Sequence, residues 1–275
     1  MGISDEVTYV VGLLNFGKGR TGATFDRIAD AYETYRIPYH CELTDVVLDE
    51  AGVPPAGKLL EVGSGTGKGT ELFAARDLDI LCVEPGENLV NIARNKFARC
   101  GNVKFHVSTF EEFEASARSF DLVYFAQSFH WVEQPAGFQK CADILKDGGA
   151  LVLLWNMYVA DDNEHDRRIA EFSKGHDESN LLQTESQCEQ RIEQLCREVE
   201  ESGIFSRPSV HRRLWERPYT LEDYLGFMKT TRIFRCGPEH VAEKIESEIR
   251  RLFENTHSGE ICRRFLSVAQ ISRKI

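Results

Sequence analysis

The stretch LLEVGSGTGKGT, Leu59 to Thr70, decides how this chain is read. Apolar residues around one acid run straight into Gly63, Gly65, Gly67 and Gly69. A short apolar run closed by glycines marks a buried strand entering a turn. Glycines so closely spaced leave bare backbone against which a ligand can lie. Spacing then separates the ligands. The dinucleotide pattern GxGxxG fails, because its sixth position is Lys68 counted from Gly63 and Thr70 counted from Gly65. The phosphate-loop pattern, GxxxxGK followed by Ser or Thr, fails as well: Gly69 follows Lys68, and Val62 stands where the first glycine belongs.

Outward from this loop, short apolar runs alternate with helical patterns. KLLEVG, DILCVE, NVKFHVS, DLVYFAQ and ALVLLWN read as strands. Helices are expected around Lys68 to Ala75, over Asn88 to Cys100 with Leu89, Ile92, Ala93 and Phe97 on one face, around Glu111, and from about Pro135 to Leu145. Near-continuous apolar strands separated by helices imply a parallel sheet covered on both faces. Residues 58–157 therefore read as one doubly wound α/β unit. Residues 1–57 read as helical, with ATFDRIADAYETYR amphipathic. Residues 158–184 are polar, and 185–202 make a charged helix with Ile192, Leu195, Cys196 and Val199 on its apolar stripe. VHRRLWE reads as a strand, Leu221 to Phe253 as helical, and ICRRFLSVAQIS as a final strand. DDNEHDRR at 161–168 reads as a solvated loop running into a helix rather than a metal cluster.

The 275 residues suit one large domain or a core with a cap, and 42% hydrophobic content is enough for a full core. Lys and Arg total 33 against 44 Asp and Glu, a net charge of −11, which argues against nucleic acid as a partner. The opening MGISDEVTYVVGLLNFGKGR is too short and interrupted in its apolar part for a signal peptide or membrane span. Glu6 also breaks the myristoylation pattern. The eight cysteines form no CxxC and read as reduced, mostly buried thiols of a cytoplasmic protein, with no metal site.

What does fit the loop is acid-x-Gly-x-Gly-x-Gly, Glu61 to Gly67. With it the chain resembles the class I S-adenosylmethionine (SAM)-dependent methyltransferases. Glu84 is a second feature, at the tip of the next strand and seventeen positions after Gly67. An acid there can accept hydrogen bonds from both ribose hydroxyls. HVSTFEEF (106–113) is similar to the family's adenine-contacting segment, with Thr109 where Asp is common and Phe110 beside it. FDLVYFAQSFHWV (120–132) and LKDGGALVLLWN (145–156) resemble its fourth and fifth motifs. The SFHWV ending resembles the branch holding the trans-aconitate methyltransferases and those of ubiquinone and menaquinone biosynthesis. AQSF replaces the Asx-Pro-Pro-aromatic run of enzymes acting on base amines or protein glutamine.

The resemblance implies an α/β fold: a doubly wound, mostly parallel seven-stranded sheet, Rossmann-like, with the last strand inserted antiparallel. Residues 1–57 would form part of a helical cap and 58–157 the SAM-binding core. Residues 158–275 would add cap helices, with the last helix and strands completing the sheet. It implies Glu61, Gly63, Ser64, Gly65, Thr66, Gly67, Glu84, Pro85, Thr109, Phe110, Ala126 and Gln127 around SAM, with S-adenosylhomocysteine (SAH) as product. His130, three residues beyond the fourth strand, reads as a candidate general base, since an ordinary imidazole titrates near pH ~6.5. Cofactor contact and a packing role are its alternatives. Tyr35, Arg36, Tyr39, Trp131, Asn156 and Arg232 are expected toward a small-molecule acceptor, a carboxylate or hydroxyl. The reaction would be direct displacement by a soluble monomer or homodimer. A non-catalytic SAM sensor or scaffold would keep the same loop and Glu84.

Overall fold

The computed structural model describes residues 25–175, 181–256 and 258–275. The leader and myristoylation readings of the opening segment lie outside the described residues.

The strands are β1 (Gly57–Val62), β2 (Leu78–Glu84), β3 (Val103–Val107), β4 (Phe120–Ala126), β5 (Leu145–Val159), β6 (Ser209–Thr220) and β7 (Glu260–Arg273). They form one sheet in the order β3-β2-β1-β4-β5-β7-β6. The first five run parallel, and β7 lies between β5 and β6, antiparallel to both. The chain winds outward from β1 through β2 to β3, then crosses back to β4 on the other side of β1. The strand order reverses between β1 and β4, and ligand crevices open at the carboxyl ends of strands at such a point.

The helices are α1 (Ala29–Tyr35), α2 (Leu43–Glu50), α3 (Glu87–Lys96), α4 (Ala136–Ile144), α5 (Glu164–Ser173), α6 (Glu185–Glu201), α7 (Leu221–Lys229), α8 (Arg232–Cys236) and α9 (Glu239–Glu254). Alternate strand residues point to opposite faces. Leu60, Val62, Val123, Phe125, Leu151 and Leu153 pack on one face with Phe138 of α4 and Ile192, Leu195 and Val199 of α6. Leu59, Ile80, Leu122, Tyr124 and Val152 pack on the other with Leu43 and Val47 of α2 and Phe73. A third core joins Ile37 to Tyr224, Phe227, Ile245 and Phe265, so the late helices seat on the long ends of β6 and β7 and reach the N-terminal segment.

Local chemistry explains the boundaries. Thr184 and Gln187 form a reciprocal capping box at α6, and Thr220 caps α7 by accepting from the Asp223 amide. The stretch read as continuous helix from Leu221 to Phe253 breaks twice. Thr230 and Thr231 turn their hydroxyls back onto Phe227 O and Met228 O, and Pro238, which lacks an amide hydrogen, starts α9. The helix expected over Lys68 to Ala75 is a single 3-10 turn, Thr70–Leu72. Gly69 within that span disfavours helix by about 1 kcal/mol, and the loop glycines just before it supply no helical turn to extend. The helix expected around Glu111 is a turn, in which the Thr109 hydroxyl accepts from the Glu112 amide.

Asp161 and Asp166 of the polar run are held by Arg263 and Arg264. Among the described residues no cluster of three or more His, Cys, Asp or Glu could hold a metal ion, and no helix is long and apolar enough to cross a membrane. All cysteines are free; Cys82, Cys141, Cys188 and Cys196 are buried, whereas Cys41, Cys236 and Cys262 are exposed, so burial is less general than expected.

Candidate functional site

The loop after β1 bends sharply across the carboxyl edge of the sheet. Gly63, Gly65 and Gly67 have φ of +70°, +55° and +83°, a region that side chains disfavour. At Gly63 a side chain would also strike Ser128, and at Gly67 the Phe97 ring. Space is open only over Gly65, where a Cβ would meet nothing nearer than Tyr32 at 3.8 Å. The Ser64 hydroxyl, buried and without a hydrogen-bond partner, lines the same opening. Thr66 is fully buried.

Glu84 ends β2 beside this loop. Its carboxylate accepts from the Gly65 and Gly86 amides, each at 2.9 Å. Burial raises its pKa and these two amides oppose the rise. Two bonds leave acceptor positions on both oxygens for a ligand's hydroxyls. Pro85 follows on the exposed side. Asp26 caps the neighbouring α3, accepting from the Asn88 amide at 2.8 Å and the Leu89 amide at 3.2 Å. The N-terminal segment is thereby strapped over Glu84. Phe25 meets Tyr32 and Trp131 edge-on.

Glu61 lies behind the loop on β1, fully buried. Its Oε2 accepts from Thr70 at 2.5 Å and from the Tyr124 hydroxyl at 2.8 Å, while Oε1 has no hydrogen-bond partner. Burial pushes its pKa up to about 7, against the hydrogen bonds from Thr70, Tyr124 and Cys82.

An open cleft at this edge is lined by Tyr32, Arg36, Tyr39, Ser64, Gln127 and Tyr158 among others. Gln127, at the tip of β4, takes φ +57° and donates from Nε2 to Asn156 O at 2.7 Å. Such strain in a non-glycine residue costs about 1–3 kcal/mol and gathers at functional sites. Ala126 lines the cleft beside it. Asn156 is locked by bonds to Pro38 O and from the Ser267 hydroxyl. Arg36 donates to the Tyr158 hydroxyl at 2.6 Å and to Thr230 O at 2.7 Å, and its buried Nε has no partner. Tyr32 lies 5.3 Å from its guanidinium. Tyr158 was not foreseen. The apolar run continues past Asn156, and the two-residue period of a strand puts Asn156 and Tyr158 on one face.

Four expected residues sit differently. Tyr35 packs its ring on Gly226 of α7 instead of entering the cleft. The Phe110 ring is buried in the core, edge-on to Phe125 at 5.7 Å, and Thr109 is occupied with its own turn. His130 lies in the 3-10 turn Phe129–Trp131, 4.4 Å from the Trp131 ring and 6.0 Å from that of Trp155. Burial, helped by the positive charges of Arg191 and Arg232, lowers its pKa to about 3. That direction favours the neutral imidazole and weakens its candidacy as a general base. Arg191, on α6, is a second unforeseen residue: its buried Nη1 has no hydrogen-bond partner, and Glu198 lies 3.8 Å away.

The bare loop, the orphaned Ser64 hydroxyl, the unpartnered Arg36 Nε and the acceptor sites of Glu84 fit the polar ends of SAM. Residues 60–153 match the family model of a methyltransferase domain. Over those residues the chain is similar to a methyltransferase domain. An uncharacterized methyltransferase of Mycobacterium tuberculosis is 33% identical over 133 residues, 48% of this chain and 52% of that protein. A ubiquinone biosynthesis O-methyltransferase of Hahella chejuensis is 33% identical over 107 residues, 38% of this chain and 45% of its own. The chain spans about half the length of the curated relatives it matches. A SAM-dependent methyltransferase of Thiobacillus denitrificans, solved with SAH, superposes with a TM-score of 0.52 at 12% identity, over 89% of this chain and 96% of that one. The [4+2]-cyclase SpnF does so at 0.54 and 16% identity, over 92% and 95%. These structural likenesses show the fold alone, and a fold does not fix a reaction.

Proposed function

We propose that the chain is a SAM-dependent methyltransferase that moves a methyl group to a small-molecule carboxylate. The observation carrying this reading is that Ser64 and Arg36, each with an unpartnered buried polar atom, line one cleft beside a glycine loop whose Gly65 amide donates to Glu84. SAM supplies an electrophilic methyl on a sulfonium. Glu84 accepts from the ribose hydroxyls, and the charge on the carboxylate makes such bonds strong. Arg36 offers Nε to the methionine carboxylate. Tyr32, Tyr39 and Tyr158 line the cleft and would attract a sulfonium held there, by roughly 0.5–2 kcal/mol per aromatic face. The strap from Phe25 to Tyr39, with α7 and α8 packed beside it over the core, excludes water. Alignment of the reactants then contributes up to about 7–11 kcal/mol of the barrier.

His130 is too weakly basic to draw a proton from an alcohol at neutral pH. An acceptor that arrives already deprotonated needs no base, and a carboxylate does so. Arg191 and Arg232 beside His130 supply positive charge for it. Transfer of isotope-labelled methyl from SAM into a small-metabolite extract tests the reading. Label released by mild alkali, as methyl esters are, is expected. Absence of label from a preparation that binds SAM would overturn it in favour of binding without catalysis.

A further inference from the structure

Glu61 is a buried carboxylate that forms no ion pair among the described residues. From the 3-10 turn comes the Thr70 hydroxyl, from β4 the Tyr124 hydroxyl, and from β2 the Cys82 thiol at 3.8 Å, all uncharged donors. Glu84 and Tyr39 are the next titratable groups around it. The two cations that line the cleft are directed elsewhere: Lys68 toward Glu33 at 3.4 Å, and Arg36 toward Tyr158 and Thr230. The unpartnered Oε1 stands against Gly69, itself part of the cleft wall with Gly63 and Ala126. A buried charge is stable only when paired. Here the pairing charge has to come through the cleft.

Resting on the SAM-binding reading above, we propose that Glu61 releases a proton when the cleft takes up SAM and recovers it once the sulfonium has become a thioether. The charge balance is simple. The acceptor's lone pair forms the new bond to carbon, the carbon–sulfur pair stays on sulfur, and the ligand loses one positive charge. The carboxylate that faced that charge then takes a proton from solvent. Because burial holds the Glu61 pKa at about 7 in the free protein, the group is poised between its two forms at neutral pH. SAM affinity is linked to pH accordingly, rising about tenfold from pH 6 to 8, while SAH affinity rises less.

The test is calorimetric titration of the full chain with SAM and with SAH at pH 7, in buffers of different ionisation enthalpy. The slope of heat against that enthalpy counts protons. About half a proton is expected to leave per SAM bound, and fewer per SAH; the ammonium, common to both ligands, drops out of the comparison. Glu61→Gln should abolish the difference. Tyr124→Phe, which removes one donor to the carboxylate, should move the midpoint of release to higher pH, and it carries the test if the first variant does not fold. Equal slopes for SAM and SAH, or an unchanged slope in Glu61→Gln, would overturn the proposal while leaving SAM binding intact. No heat from SAM in any buffer would overturn the underlying reading too.

Discussion

Replacing Glu61 by Gln in the ligand-free protein should change how stability depends on pH. The Glu61 pKa is about 7 in the folded chain, and an exposed glutamate titrates near ~4.3–4.5. A carboxyl whose folded pKa is raised binds its proton more tightly when folded. Its ionisation therefore costs nothing below the unfolded pKa, costs more as pH rises through the interval, and levels off above pH 7. Between pH 5 and 8 the linkage amounts to about 2–3 kcal/mol, and Gln, which does not titrate, is spared it. Loss or rearrangement of the Thr70 and Tyr124 hydrogen bonds adds an offset that is the same at both pH values. Urea unfolding of wild type and Glu61→Gln at pH 5 and pH 8 reads the difference directly. Wild type should lose about 2–3 kcal/mol more than the variant over that interval, several degrees in melting temperature. Parallel losses would refute the argument, because Glu61 would then ionise as freely in the fold as in the unfolded chain.

Other outcomes follow from the same geometry. Glu84→Ala should weaken SAM binding by about 1.5–3 kcal/mol, roughly 10- to 150-fold, as calorimetry would show. His130→Ala should leave the shape of the pH–rate profile between pH 5 and 8 unaltered, because an imidazole with a pKa of about 3 does not titrate there; a limb near pH 6.5 that vanished in the variant would restore it as the base. Gly67→Ala, forced into φ +83° and against the Phe97 ring, should destabilise the chain by about 1–3 kcal/mol in urea unfolding.

Much of this site could be read from residue order, since strands and tight turns are written locally. The apolar runs located β1 to β5 and β7, the alternation VHRRLWE located β6, and the glycine spacing located the loop with Glu84 beside it. Contacts between segments far apart in the chain left no such mark. Asp26 caps a helix 62 positions away, and Arg36 reaches Thr230 across 194, pairings that no local pattern encodes. Arg191 looked like any charge on a solvated helix. Tyr35 and Phe110 are misleading for a related reason: aromatics near a ligand loop serve packing as readily as binding, and only their orientation tells which. His130 shows the same limit for chemistry. Its residue type suggested a base, but burial and the charges of Arg191 and Arg232 lower its pKa, which residue order does not show.

The most direct measurement of the central claim is a structure of the chain with SAH bound. The ribose hydroxyls should lie within hydrogen-bonding distance of the Glu84 carboxylate, the adenosine against Gly65, and the amino-acid carboxylate at Arg36. SAH bound elsewhere, or in this cleft with Glu84 and Arg36 untouched, would contradict it.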